Sequence, residues 1–472
     1  MQLPEGLIAV VKQDCPTCVL IDPVLAELEA RGLPLTVYVQ DDPAFTATRN
    51  VVDDRNLEHS FRLEIETVPT LLRVVDGRET ARCVGWQRQE WESLTGLATL
   101  GTGLPDYRPG CGSLSVMPGT AERLALRYGG RSFASRRLDV APLEDHIEYC
   151  FEHGWSDGLP VTPPTELRVY RMLAGTTRAP DEILGPVPPN QVPVSIEKVA
   201  INAVMAGCKP EYLPAVIAAV EAALDPAFCL HGLLATTWLS GPMVVVNGPL
   251  RAAIGMNWAG NVLGQGNRAN ATIGRALQLI VRNVGGGRPQ EADQATFGNP
   301  GKYTFCFAED EATPWTTLAE DRGFSRAQST VTLFSADGVL GVADQKSRAP
   351  EGLIYSLTGS LRGVNHVDMV NGADAVVVIG PEHGRVFDAA GWSKSDTVAA
   401  LHQALHVRGR DLGMGTDSAA PRANGASTPK FRDGGLTLIR AGGSAGLFSA
   451  IIPGWLMKGP SGTDPVTREI RT

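Results

Sequence analysis

Apolar residues run unbroken from Leu7 to Val11, and a helical pattern follows from Val19 to Ala30, which predicts a buried strand feeding a helix. A second extended run, Leu35 to Val39, leads into an acidic turn and a polar stretch, Asp41 to His59, that we expect to be helical. Leu71 to Val75 reads as a further strand, with Asp76-Gly77 as the hairpin turn after it. Gly101 to Gly119 is rich in glycine and proline and reads as a linker or an extended connecting segment. Beyond it, helical patterns cover Leu143 to His153, Glu166 to Leu173, Val199 to Gly207 and Tyr212 to Leu224, joined by Gly- and Pro-rich connections such as Gly154 to Thr165. Two β-branched runs, Gly241 to Pro249 and Ala375 to His383, pass through Gly-Pro into loops and then helices, Asn270 to Val284 and Thr397 to Val407. A third run, Leu436 to Gly446, has the same shape, and Gly301 to Phe307 alternates as a strand does. Continuous apolar runs mark strands buried on both faces, with ligands expected beyond their carboxyl ends.

Against this pattern Cys15-Pro16-Thr17-Cys18 stands at the first strand-to-helix junction. A sulfur at a helix N-terminus meets unpaired N–H groups and the positive end of the dipole, which favour a thiolate, and a second sulfur three residues on can close a disulfide. The same spacing is half of a zinc site, but a structural zinc wants four ligands and no second closely spaced pair follows nearby. The order strand, CxxC, helix, strand, helix, Glu66-Thr67-Val68-Pro69-Thr70, hairpin resembles the thioredoxin fold over residues 1 to about 100. The resemblance implies a redox-active dithiol with no other cofactor, a cis Pro69 lying against it, and a thioredoxin reductase or low-molecular-weight thiol as electron donor. Thioredoxins usually carry a tryptophan before the first cysteine and a buried acidic residue beneath it. Here those places hold Asp14 and apolar residues such as Ala9, and the Pro-Thr dipeptide is closer to glutaredoxins.

The remaining chemistry is more diffuse. The 472 residues allow several domains, and a net charge of −9 with 20% charged residues argues against nucleic acid as a partner. No apolar run approaches a membrane span and the start lacks a basic signal-like region, so we expect a cytoplasmic protein. Of the eight cysteines, six are scattered singly, which fits reduced thiols rather than a secreted disulfide frame. Cys111 is flanked by glycine in a sequence, Cys-Gly-Ser, similar to the start of a Cys-Gly-Ser-Cys signature of some thiol and selenol proteins, with Leu114 in the fourth place. Cys208, beside Lys209 and ahead of a helix, and Cys306, among aromatics, are candidate body thiols. The loop Asn257 to Asn270 is dense in amides and glycine, and we expect Asn257, Asn261, Asn267, Arg268 and Asn270 to bind a small polar or anionic substrate. Glu382 and His383, at the carboxyl end of a predicted strand, and His231 are acid/base candidates, and the acidic trio Glu309-Asp310-Glu311 could supply a general base or cap the next turn.

The expectation is an α/β protein: a thioredoxin-like domain (1–100), a Gly/Pro-rich connector with one helix (101–165), and a body of Rossmann-like strand-loop-helix units (166–330 and 331–472). Its function would be a thiol-dependent oxidoreductase in which Cys15 attacks, Cys18 resolves, and a further cysteine, Cys208, Cys306 or Cys111, takes part in reducing the small polar or anionic substrate. The competing reading is a non-redox lyase or hydratase using His383, Glu382 or His231, with the thioredoxin-like domain as scaffold or redox regulator, and a third is a binding module with no turnover. Oligomeric state is left open.

Overall fold

The computed structural model describes residues 3–130, 133–141, 143–408, 427–455 and 462–472. The chain forms two compact units, residues 1–132 and 133–472.

In the first unit the elements run β1 (Gly6–Val11), α1 (Pro16–Ala30), β2 (Leu35–Val39), β3 (Val51–Asp53), α2 (Glu58–Arg62), β4 (Thr67–Val68), β5 (Thr70–Val75), β6 (Arg78–Val84), β7 (Trp86–Gln87), α3 (Arg88–Thr95), β8 (Tyr107–Arg108), β9 (Cys111–Gly112) and α4 (Thr120–Tyr128). Five strands make one sheet in the order β3-β2-β1-β5-β6, with β1, β2 and β3 parallel and β5 and β6 antiparallel. In α1 the buried Cys18, Ile21, Val24, Leu25 and Leu28 recur at the helical period, so one face of the helix enters the core. Pro16 takes the first helical position, where no N–H is needed. Asp76 and Gly77 both have positive φ (53° and 71°), the backbone a two-residue hairpin turn requires.

Two expectations for this unit are corrected. The stretch Asp41 to His59 is mostly not helical: Pro43–Phe45 is a single 3-10 turn, Val51–Asp53 pairs with β2 as an edge strand, and only Glu58–Arg62 forms a helix. The β-branched pair Val51-Val52 extends the sheet, and this pairing outweighs the polar helical pattern around it. Nor is Gly101 to Gly119 a free linker. Trp86 Nε1 donates to Pro105 O (2.6 Å), the Arg88 guanidinium to Gly101 O (2.8 Å) and Leu104 O (2.6 Å), β8 pairs with β7, and β9 pairs with β4. The boundary therefore falls near residue 132, not residue 100.

The second unit runs α5 (His146–Glu152), α6 (Glu166–Leu173), β10 (Ile183–Val187), β11 (Val192–Ser195), α7 (Ile196–Ala206), α8 (Leu213–Ala223), α9 (Leu230–Ala235), β12 (Gly241–Asn247), α10 (Pro249–Ala253), α11 (Arg268–Asn283), β13 (Cys306–Ala308), α12 (Leu318–Asp321) and β14 (Thr330–Ala336). It continues through β15 (Leu340–Ala343), α13 (Pro350–Arg362), β16 (Ala373–Ile379), α14 (Pro381–Ala389), α15 (Lys394–Ala404), β17 (His406–Arg408), β18 (Ser427–Pro429), β19 (Phe431–Arg440), β20 (Phe448–Pro453) and β21 (Val466–Glu469). Two four-stranded sheets, β13-β12-β14-β21 and β15-β20-β16-β19, carry the core. Alternation along the apolar strands shows how they pack. Val244 and Val246 face the helical layer of α7, α8 and α11, whereas Met243 and Val245 meet Val376, Val378, Ile439 and Ile452 of the other sheet. On that second sheet Ala375, Val377 and Ile379 turn away toward α13, α14 and α15. The result is helices, sheet, sheet, helices.

The α/β class holds, but the body is not a set of Rossmann-like repeats. Each sheet is mixed: β12 is parallel to β13 yet antiparallel to β14, and β16 is parallel to β19 yet antiparallel to β20. After β19 the chain passes through Gly442, Gly443 and Gly446 straight into β20, so no helix follows the third run. The C-terminal β21 returns to pair with β14, so residue 330 does not divide the body. Gly301 to Phe307 is a strand only from Cys306; before it, Asn299 Oδ1 accepts from Gly301 N (2.7 Å) and holds Pro300–Lys302 in a turn. Among the described residues no single helix is long and apolar enough to cross a membrane. The helices Pro210–Ala223 and Pro226–Ala235 pass as a bent pair by composition, and the apolar side chains of α8 are buried in the core.

Candidate functional site

The junction of β1 and α1 places the dithiol. Cys15 is the N-cap of α1, in extended backbone, and its Sγ accepts from Cys18 N (3.3 Å). Asp41 holds the preceding turn by accepting from Gln13 N (2.7 Å) and Asp14 N (2.9 Å). Both sulfurs are buried: Cys15 is 1% exposed and Cys18 0%. The Val68-Pro69 peptide is cis, and Val68 O lies 3.6 Å from Cys15 Sγ. The Cys15 thiol is pulled down to about 5, chiefly by the hydrogen bond from the Cys18 thiol, with the Cys111 thiol and the N–H groups of Cys18 and Thr17 adding to it against the opposing effect of burial. Cys18 moves far the other way, through burial and its donation to Cys15. The pair holds one negative charge on the outer sulfur and one proton on the inner.

Cys111 completes this cluster, and it does so within the first unit. β9 lies antiparallel along β4 with Cys111 opposite Val68, so the Cys111 thiol reaches Cys15. The segment is held from both ends: Thr17 Oγ1 donates to Pro109 O (2.7 Å), and Lys12 Nζ donates to Gly112 O (2.9 Å). Gly110 is needed for this approach, because a Cβ there would lie 2.4 Å from Thr67 Cγ2 and 2.7 Å from Val68 O. Ser113 is fully buried; Gln40 Nε2 donates to its Oγ (2.6 Å), and Leu114 N donates to Gln40 Oε1 (3.0 Å). The Cys111 thiol is raised, first by its hydrogen bond to Cys15 and then by burial and the Cys15 charge, with Lys12 opposing. This thiol is only partly buried.

The body thiols have another setting. Cys208 and Cys306 are buried, burial pushes the Cys208 thiol up to about 12 and raises Cys306 as well, and Cys208 Sγ donates to Thr272 O (3.3 Å). A thiol held neutral in this way is a poor nucleophile. His383, 1% exposed, has both ring nitrogens occupied, Nδ1 at 2.8 Å from Ser449 Oγ and Nε2 at 3.2 Å from Asp344 O, which is the bonding of a structural histidine. Glu382 lies 3.6 Å from Arg385 in the first turn of α14, and His231 is exposed on α9.

The amide-rich loop largely binds itself. Asn267 Oδ1 caps α11 by accepting from Asn270 N (3.0 Å) while its Nδ2 donates to Gly255 O (2.8 Å). Asn270 spans the loop to both backbone groups of Asn257 (3.0 and 2.9 Å), Asn261 donates to Gln265 O (2.6 Å), and Arg268 Nε donates to Gly207 O (2.9 Å). Beside this loop the structure joins two of the acidic trio, Glu309 and Glu311, to residues that the sequence did not single out, Asn247 and Arg251. The carboxyl ends of β12 and β13 bring the buried Asn247 against Glu309 (2.6 Å) and Glu311 (3.0 Å), and the Arg251 guanidinium lies 4.3 Å above the Trp258 ring. Burial raises Glu309 to about 6, against Lys394, the Leu318 N–H and Asn247. The signal that was available is the strand end itself: Asn247 follows four apolar residues, and Glu309 follows Phe307-Ala308.

Among the described residues no group of three or more His, Cys, Asp or Glu side chains stands where it could hold a metal ion. No protein-family model matches the chain, and no curated protein matches it.

Proposed function

We propose that the first unit is a thioredoxin-like thiol–disulfide oxidoreductase, with Cys15 as nucleophile, Cys18 as resolving thiol and Cys111 as a third thiol of the same centre. The observation that carries this reading is the convergence of three sulfurs, with Cys15 drawn down to about 5. The Cys15 thiolate attacks one sulfur of a substrate disulfide and expels the other as a thiolate. The neighbouring thiol then gives up its proton and attacks Cys15 Sγ, releasing the second substrate sulfur and leaving a disulfide within the unit. Two electrons have passed to the substrate, and an external thiol, such as a low-molecular-weight thiol or a thioredoxin reductase system, returns them. Of the three cysteines that the sequence offers as the second thiol, Cys208, Cys306 and Cys111, the last is supported by its hydrogen bond to Cys15.

In this conformation β9 lies over the thiolate, so turnover requires residues 107–112 to lift from β4. A cysteine on that strand is an internal disulfide partner: Cys15–Cys111 would tie the cover down, and reduction would free it. The test is peptide-resolved mass spectrometry of protein titrated with a low-molecular-weight disulfide and quenched by alkylation. Disulfides that link Cys15 to Cys18 or to Cys111 support the proposal. Disulfides that bypass Cys15 refute it.

A non-redox lyase or hydratase activity of the second unit is favoured by one observation, the buried Glu309 raised to about 6, near the range of a general acid/base. Replacing Cys15 and Cys18 together abolishes activity under the first reading and spares it under this one.

A further inference from the structure

We propose that the second unit binds a small oxyanion, a phosphate or a carboxylate, between Arg282 and Arg288 beside the turn at Gly154 and Trp155. Arg282 lies in the last turn of α11. The chain then reverses through Gly285-Gly286-Gly287, with Gly286 N donating to Arg282 O (3.1 Å) and Gly287 N to Val281 O (3.0 Å). Gly286 has φ +77°, a backbone that a side chain would strain, and this reversal carries Arg288 back to Arg282.

Neither guanidinium has a hydrogen bond or ion pair among the described residues, and Nε of each is buried and unmatched. Asn283 Oδ1, on the same turn, is unmatched as well, while its Nδ2 donates to Trp155 O (3.1 Å) and Asn202 Oδ1 (2.9 Å). The nearby acids act on Arg282 only at a distance: Asp157 is gripped by two nitrogens of Arg275 (2.8 and 2.8 Å), and Glu291 forms no ion pair among the described residues. Arg282 is in fact disfavoured as a cation, first by burial and then by the charge of Arg288.

The helix dipole favours one cation at the end of α11. It gives no reason for a second cation, held against the first by a three-glycine reversal. Gly154 brings no side chain against the pair: a Cβ there would meet nothing nearer than Arg288 Nη2 at 3.9 Å. The wall beyond is aromatic, with Tyr149 and His153 stacked at 3.9 Å and Trp155 at 5.3 Å from His153. Two half-buried guanidiniums with no hydrogen-bonded acceptor among the described residues match an oxyanion that accepts in pairs, and a hydroxyl on it could donate to Asn283.

The test follows thermal unfolding of the full chain in inorganic phosphate, in malonate and in sodium chloride at matched ionic strength. We expect a Tm that rises and saturates with one of the first two and not with chloride; phosphate or malonate acting alone identifies the source of the oxyanion. Arg282→Gln and Arg288→Gln should each abolish that rise while raising the ligand-free Tm, because each removes one of two repelling, desolvated cations. A structural arginine would give the opposite sign. ³¹P line broadening of phosphate by the wild-type protein reads binding without relying on a variant. The absence of any saturable shift together with unchanged ³¹P lines overturns the proposal, as does a shift that survives both substitutions.

Discussion

The hydrogen bond from Cys18 is the largest cause of Cys15's acidity, and it can be removed cleanly. A hydrogen bond to a charged acceptor contributes about 1.5–3 kcal/mol, which is about 1–2 pKa units. Cys18→Ala should therefore move Cys15 from about 5 to roughly 6–7, and Cys18→Ser, which keeps a hydroxyl donor, should leave it near the wild-type value. The assay is peptide-resolved alkylation of Cys15 by iodoacetamide between pH 4 and 9. Because Cys15 is buried, opening of the segment scales every rate by a common factor, so the titration midpoint is the quantity to read. The wild-type curve should also have a distinctive shape. At pH 7 a free cysteine is about 3% thiolate, so near-complete ionisation gains Cys15 roughly 30-fold. The lower basicity reduces its intrinsic nucleophilicity by about 25- to 55-fold for a Brønsted slope of about 0.4–0.5. The two nearly cancel, so the signature is a rate almost flat from about pH 6 to 8, not a fast one. A wild-type rate that climbs about tenfold per pH unit up to pH 8, or a Cys18→Ala midpoint within about 0.3 units of wild type, would refute the reasoning.

Gly110→Val places a side chain against Thr67 and Val68 O, and an overpacking cost of about 1–3 kcal/mol should raise the open population of residues 107–112 roughly 5- to 150-fold. Faster alkylation of both Cys15 and Cys111, with new proteolytic cleavage in that segment, is the expected result; unchanged rates would show that β9 does not control access. Glu309 is an acid whose folded pKa, about 6, lies above its ordinary value, so its contribution favours folding below about pH 4.5 and is lost as pH rises toward 6. Glu309→Gln should thus raise stability by about 2 kcal/mol at pH 7 and by little at pH 4.5, checked by urea unfolding at both values. Cys208→Ala and Cys306→Ala should each cost about 1 kcal/mol of stability and leave disulfide exchange at Cys15 unchanged, since both thiols are held neutral by burial. Loss of exchange in either variant with the fold intact would return a body thiol to the pathway.

The chemistry of this protein was written locally, and its partners were not. Cys15-Pro16-Thr17-Cys18 between an apolar run and a helical one fixes strand, N-cap and helix within a few residues, and Asp76-Gly77 fixes its hairpin, because backbone preference and capping act over that range. The continuous runs of β12 and β16 likewise announced strands buried on both faces. Period-two burial says that two faces are covered, but not by what: that Met243 faces a second sheet while Val244 faces helices, or that β14 runs antiparallel beside β12, depends on pairing across many residues. For the same reason the Gly- and Pro-rich stretch around Cys111 read as a linker. Its low regular-structure propensity is real, yet its hydrogen bonds go to Thr17, Lys12 and Gln40, all more than 70 positions away. The asparagines at 257 to 270 had the composition of a binding loop, and only their mutual geometry shows that they bind the loop itself. Sequence determined which groups are chemically able, through side-chain type and local conformation. Tertiary structure decided which are free, charged or covered, because desolvation and partner distance are set by segments far apart in the chain.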